Sequence, residues 1–138
     1  MDVPSEATTV LVFSHRPQVR EVIINAVGSR PAADVGRLRY LEAGTIAEVL
    51  SAVDAGGVDL AILDGEAQPT GGMGLSRQLK NEIAKCPPVI VAVQRRDDRW
   101  LAVWSQADAV IVHPLDPLVA AETVAEVLRS HRPRATKG

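Results

Sequence analysis

One cysteine, Cys86, in a chain of 138 residues excludes an internal disulfide and leaves too few thiols for a cysteine-rich zinc site. That usage fits a reducing compartment. Long apolar runs are also missing. Stretches such as Val89 to Val93 fall far short of the ~20 residues that span a bilayer. The start, Met1-Asp2-Val3-Pro4-Ser5-Glu6, has no basic segment leading into an apolar one, so no secretory signal is visible and a cytoplasmic location is expected. Charge of one sign is scarce too. Fifteen basic against seventeen acidic residues give a net charge of −2, which provides no general attraction toward nucleic acid. The basic cluster His131-Arg132-Pro133-Arg134-Ala135-Thr136-Lys137 reads as a frayed, solvated terminus rather than a docking arm.

What is present is an ordinary globular mixture, 46% apolar and 23% charged, which argues against wholesale disorder. The length suits one domain and suffices to bury about two thirds of the unfolded surface. No internal repeat, low-complexity linker or domain boundary interrupts it. One domain is expected over 8–130, with a flexible N-terminus at 1–7 and a flexible basic tail at 131–138.

Five β-like runs alternate with five helix-like ones, the pattern of βα units on a parallel sheet. Val10 to Phe13, Val58 to Leu63, Val89 to Val93 and Val110 to Val112 are short and mostly apolar, as suits central strands covered on both faces. Arg37 to Glu42 alternates polar and apolar, as an edge strand does. Val19, Val22, Ile23, Ala26 and Val27 form one helical stripe ending near Gly28. A second, Ile46, Val49, Leu50 and Val53, opens on Thr45 and Glu48 placed as a capping box and stops at Gly56-Gly57. Leu75, Leu79, Ile83 and Cys86 form a third, halted by Pro87-Pro88. Trp100, Val103, Trp104 and Ala107 form a fourth. The fifth opens with Asp116 before Pro117, an N-cap followed by proline, and buries Val124, Val127 and Leu128.

In open parallel sheets, ligands bind at the carboxyl ends of strands. Ser14, His15, Asp64, Val93, Gln94, His113 and Pro114 fall there. Leu60-Ala61-Ile62-Leu63-Asp64 resembles the apolar strand that delivers the phosphoacceptor aspartate in receiver domains of two-component response regulators. Gln106-Ala107-Asp108-Ala109-Val110-Ile111-Val112-His113-Pro114 is similar to that family's Gly-Ala-Asp-x-Tyr-Leu-x-Lys-Pro stretch. The resemblance to a CheY-like receiver covers about residues 8 to 130. It implies a doubly wound α/β fold, a five-stranded parallel sheet in the order 2-1-3-4-5 with five helices.

The resemblance also shows a degenerate pocket. Where receivers carry an acidic pair that holds Mg²⁺, this chain has Ser14 and His15, poor replacements for a hard cation. The phosphoryl-pairing lysine is His113, which is no permanent cation at neutral pH. The hydroxyl residue after the fourth strand is Val93, and the switch aromatic of the fifth is Val110. Asp64 alone remains, and a phosphoaspartate of about −1.5 to −2 charge would lack both counter-ions. Asp64 therefore reads as a strand-end carboxylate capping nearby N–H groups. His113 reads as a hydrogen-bonded filler before Pro114, whose preceding bond resembles the family's cis peptide. His15, His113 and Asp64 have the ligand types of a two-histidine, one-carboxylate metal site, but nothing in their spacing requires one, and no metal or cofactor is expected. Pro69-Thr70-Gly71-Gly72-Met73-Gly74 lacks phosphate-loop spacings and reads as a loop.

No catalysis is expected. The leading reading is a stand-alone pseudo-receiver, an orphan regulator that binds another protein without phosphorylation and, since the chain stops after its fifth helix, carries no DNA-binding domain. In receivers the surface of the fourth helix, fifth strand and fifth helix is the usual partner face. Trp100 and Trp104, half of four aromatics, would lie on that fourth helix. Likeness to short orphan receiver-like proteins of mycobacteria implies a regulatory or accessory role on the respiratory NADH dehydrogenase, complex I, and a place peripheral to a membrane-bound complex. Two other readings stay open, a phosphorelay regulator phosphorylated on Asp64 and a small-ligand or flavin-binding domain.

Overall fold

A computed structural model describes residues 8–65, 72–83, 86–95 and 106–131. Its strands are β1 (Thr8–Phe13), β2 (Leu38–Ala43), β3 (Leu60–Asp64), β4 (Val89–Val93) and β5 (Ala109–Val112). All pair in parallel, in the order β2-β1-β3-β4-β5. Among the described residues there are four helices: α1 (Pro17–Val27), α2 (Ile46–Ala55), α3 (Gly72–Glu82) and α4 (Pro117–His131). The helix expected around Trp100 and Trp104 falls outside the described residues, as do the 1–7 and 132–138 segments. Of the loop expected at Pro69 to Gly74, residues 69–71 also fall outside them, and Gly72 to Gly74 form the first turn of α3 rather than a loop.

Alternation along the strands divides the core into two layers. Val10, Val12, Ile62, Ile90 and Ile111 point to one face, where Ile23 and Val27 of α1 and Ala120, Val124 and Val127 of α4 cover them. Leu11, Phe13, Leu63, Val91 and Val93 point to the other, under Val49 and Val53 of α2 and Leu75 and Leu79 of α3. β1, β3 and β4 are buried on both faces, as their unbroken apolar runs require.

Local signals set the helix ends. Thr45 Oγ1 accepts from the Glu48 N–H at 3.1 Å while the Glu48 carboxylate accepts from the Thr45 N–H at 3.2 Å, a complete capping box. Gly56 and Gly57 follow at φ 82 and 90, a backbone shape that glycine adopts without strain. Asp116 Oδ1 accepts from the Leu118 N–H at 2.9 Å and caps α4, with Pro117 at its first position.

Four further expectations need correction. Val22 is 48% exposed, and Ile24 takes its place in the buried stripe of α1. Helix α3 ends at Glu82, so Cys86 lies in the approach to β4 rather than on the helix. β5 is an edge strand, half-buried apart from Ile111, as the order 2-1-3-4-5 implies but not as its apolar run suggests, because such a run reports burial and not the number of strand neighbours. His131 belongs to α4 rather than to the tail, with its Nδ1 3.0 Å from the Val127 carbonyl.

Candidate functional site

Phe13 lies opposite Leu63 in the parallel register, so the next residues, Ser14 and Asp64, emerge side by side at the carboxyl edge of the sheet. The chain order reverses here, with β2 on one side of β1 and β3 on the other, and such a switch point opens a crevice. Both side chains are fully buried. Ser14 Oγ donates to Asp64 Oδ2 at 2.8 Å and accepts the Arg16 backbone N–H at 3.1 Å. A hydroxyl has one hydrogen to give, and that backbone contact aims it at the carboxylate. The Arg16 guanidinium stands 3.5 Å from the same Oδ2, its side chain 44% exposed. A buried carboxylate is costly unless it is both hydrogen-bonded and paired, and Asp64 is both.

The turn is pinned from behind. Arg20 Nη1 donates to the Ser14 carbonyl at 2.6 Å, and its Nε pairs with Glu42 at 2.9 Å. The Ser14 N–H reaches the Ala43 carbonyl at 3.2 Å, and Glu48 accepts the Gly44 N–H at 2.7 Å. One network thus joins the ends of β1 and β2 to the starts of α1 and α2.

The other expected positions that the structure describes lie on the turn after β1, at the end of β4, and on and after β5. His15 is exposed on the turn. Val93 is buried at the end of β4, with its carbonyl accepting the His113 N–H at 2.8 Å. The His113–Pro114 bond is cis. Val110 is half-buried on β5 against the α2–α3 layer. Trp100 and Trp104 lie outside the described residues. The partners of Asp64 include the Ser14 hydroxyl and the Arg16 guanidinium. Arg16 is the residue that sequence reasoning missed. Its only signal is that it follows the two degenerate positions.

No family model matches the chain. An uncharacterised response regulatory protein of Mycobacterium tuberculosis strain H37Rv is 50% identical over 126 residues, covering 91% of this chain and 95% of the relative. Its counterpart in strain CDC 1551 matches to the same extent. The chain belongs to the response-regulator family. Solved receivers share the fold. The signal receiver domain of a histidine kinase from Syntrophus aciditrophicus superposes with TM-score 0.74 at 20% identity, covering 96% of this chain and 98% of that one. A two-component response regulator from Clostridium difficile gives 0.73 at 15%, covering 91% and 99%. At such identities the likeness is one of fold.

Receivers use Mg²⁺, and the donor set of this regulator does not suit it. Mg²⁺ asks for several oxygen ligands and carboxylate charge. Here the Ser14 hydroxyl points its hydrogen at Asp64, His15 offers nitrogen, and a guanidinium already stands beside the Asp64 carboxylate. Among the described residues no group of three or more His, Cys, Asp or Glu is placed to hold a metal ion, so the His15, His113 and Asp64 set does not converge. Nor is any described helix long and apolar enough to cross a membrane.

Proposed function

We propose that this receiver domain acts by binding another protein, without phosphorylation and without catalysis of its own. The observation that carries the reading is the engagement of Asp64, whose Oδ2 is held inside the fold by Ser14 and Arg16. Phosphoryl transfer depends on electrostatic stabilisation by metal and cation together with an accessible acceptor. Asp64 is fully buried, and the metal-binding acids are Ser14 and His15. The positions that read out phosphorylation in receivers are Val93 and Val110, which offer no hydroxyl to the phosphoryl group and no aromatic to turn.

The partner face is the outer edge of β5 with the start of α4. A cleft of about 460 Å³ lies there, lined by Gln94, Val110, His113, Leu115, Asp116 and Val119. Val119, which lines it, and the adjacent Leu118 are 52% and 71% exposed, more than any other large apolar residues described. An apolar pair beside a cleft favours a contact surface, where a few buried anchors carry most of the binding energy. The likeness to short mycobacterial receiver-like proteins makes respiratory complex I the first partner to test, with the domain as a regulatory or accessory subunit at the membrane periphery. Affinity purification of the tagged chain at native expression, compared with Asp64→Asn, tests the reading. Equal recovery of complex I subunits by both supports it. Loss with Asp64→Asn favours the phosphorelay reading, and recovery of no complex I subunit by either removes complex I as the partner.

A further inference from the structure

The Asp64 centre has a cation, but that cation is part of the chain. We propose that the Arg16 guanidinium is the resident counter-cation of Asp64, standing in the place of the divalent metal of other receivers, so that this centre is metal-free by construction. Arg16 follows directly after the two positions that carry the acidic pair in receivers. It is also the N-cap residue of α1, with an extended backbone at φ −104 and ψ 114 and no side-chain bond to the helix. Pro17 at the first helical position fixes the chain's entry into α1, and the Arg16 side chain turns to Asp64 instead of capping.

Charge works against a second cation, and the Ser14 hydroxyl does little to attract one. A guanidinium is permanently charged, and a divalent ion within about 4 Å of the same carboxylate oxygen would repel it strongly in a partly desolvated site. The Ser14 hydroxyl accepts from the Arg16 N–H and directs its hydrogen to Asp64, so it has one lone pair left and no negative charge to offer a metal. Arg16 therefore acts twice, through its backbone on Ser14 and through its side chain on Asp64. Because the guanidinium is half exposed while Asp64 is fully buried, only one end of the pair is desolvated. The centre is thereby set independently of metal concentration and of phosphodonor, whichever partner the domain binds.

Two measurements test this. Thermal melts of the wild-type protein, Arg16→Ala, Asp64→Asn and Arg16→Ala/Asp64→Asn, with and without Mg²⁺ or Mn²⁺, form a charge-compensation cycle. The wild type is expected to ignore both ions. Arg16→Ala melts lower, and adding Asp64→Asn recovers part of that loss, because the carboxylate needing the cation is gone. A wild-type melt raised by either ion overturns the proposal, as does a double variant no more stable than Arg16→Ala. Should Arg16→Ala fail to fold, the double variant must fold without metal. Mn²⁺ binding by Ser14→Asp/His15→Asp is then compared with Ser14→Asp/His15→Asp/Arg16→Ala. Removing the resident cation should tighten binding at least about tenfold; equal affinities, or tighter binding with Arg16 present, contradict it.

Discussion

At the residue scale, Ser14 shows how a degenerate position acquires a structural task. Its hydroxyl bridges the Arg16 N–H and the Asp64 carboxylate, so Ser14→Ala removes one hydrogen bond from the buried carboxylate and one from the part-buried N–H. The expected loss is about 1–3 kcal/mol in denaturant unfolding, against little for a substitution at exposed His15. Gly65, directly after Asp64, donates its N–H to the Ala92 carbonyl at 2.7 Å, and a Cβ there would sit 2.7 Å from that same oxygen. Gly65→Ala should therefore lower the melting temperature by forcing β3 and β4 apart at the pocket floor, through an overpacking cost of about 1–3 kcal/mol. Burial pushes the Cys86 thiol above its usual range, with Lys80 drawing it back and Asp108 adding to the rise. Only the thiolate is alkylated. Native Cys86 should thus react with iodoacetamide at pH 8 more slowly than a model peptide thiol, and the difference should vanish in urea.

At the scale of elements, what could be read from the chain is what is decided locally. The capping box at Thr45 and Glu48, the Gly56-Gly57 stop and the Asp116-Pro117 start all depend on neighbours within four residues, and each is found where the spacing puts it. Thr45→Ala should cost about 1 kcal/mol, a fall of a few degrees in melting temperature. Features decided by distant partners were not legible. Val22 fits the apolar spacing of α1 as well as Ile24 does, and only the placement of α1 against α4 and the sheet chooses between them. β5 reads like a central strand because its residues are apolar, whereas strand order puts it at the edge. Arg16 gave no signal beyond its place after Ser14 and His15, since an arginine before a proline-led helix is unremarkable until β3 brings Asp64 beside it.

For the whole molecule, a receiver scaffold holds its crevice closed on an internal hydrogen-bond and charge network while its β5–α4 side carries exposed apolar residues. A surface contact and a fold contact are separable there. Leu118→Ser and Val119→Ser should weaken capture of the partner while leaving the melting temperature nearly unchanged, because neither side chain is buried. Substitution of Val124, fully buried beneath the same helix, by Ala should do the reverse. The central claim, that Asp64 is committed to the fold and does not accept phosphate, is tested most directly by intact-protein mass spectrometry after incubation with acetyl phosphate and Mg²⁺, alongside a competent receiver as control. The control should gain one phosphoryl mass and this protein none; a matching mass increase that disappears in Asp64→Asn would contradict the account.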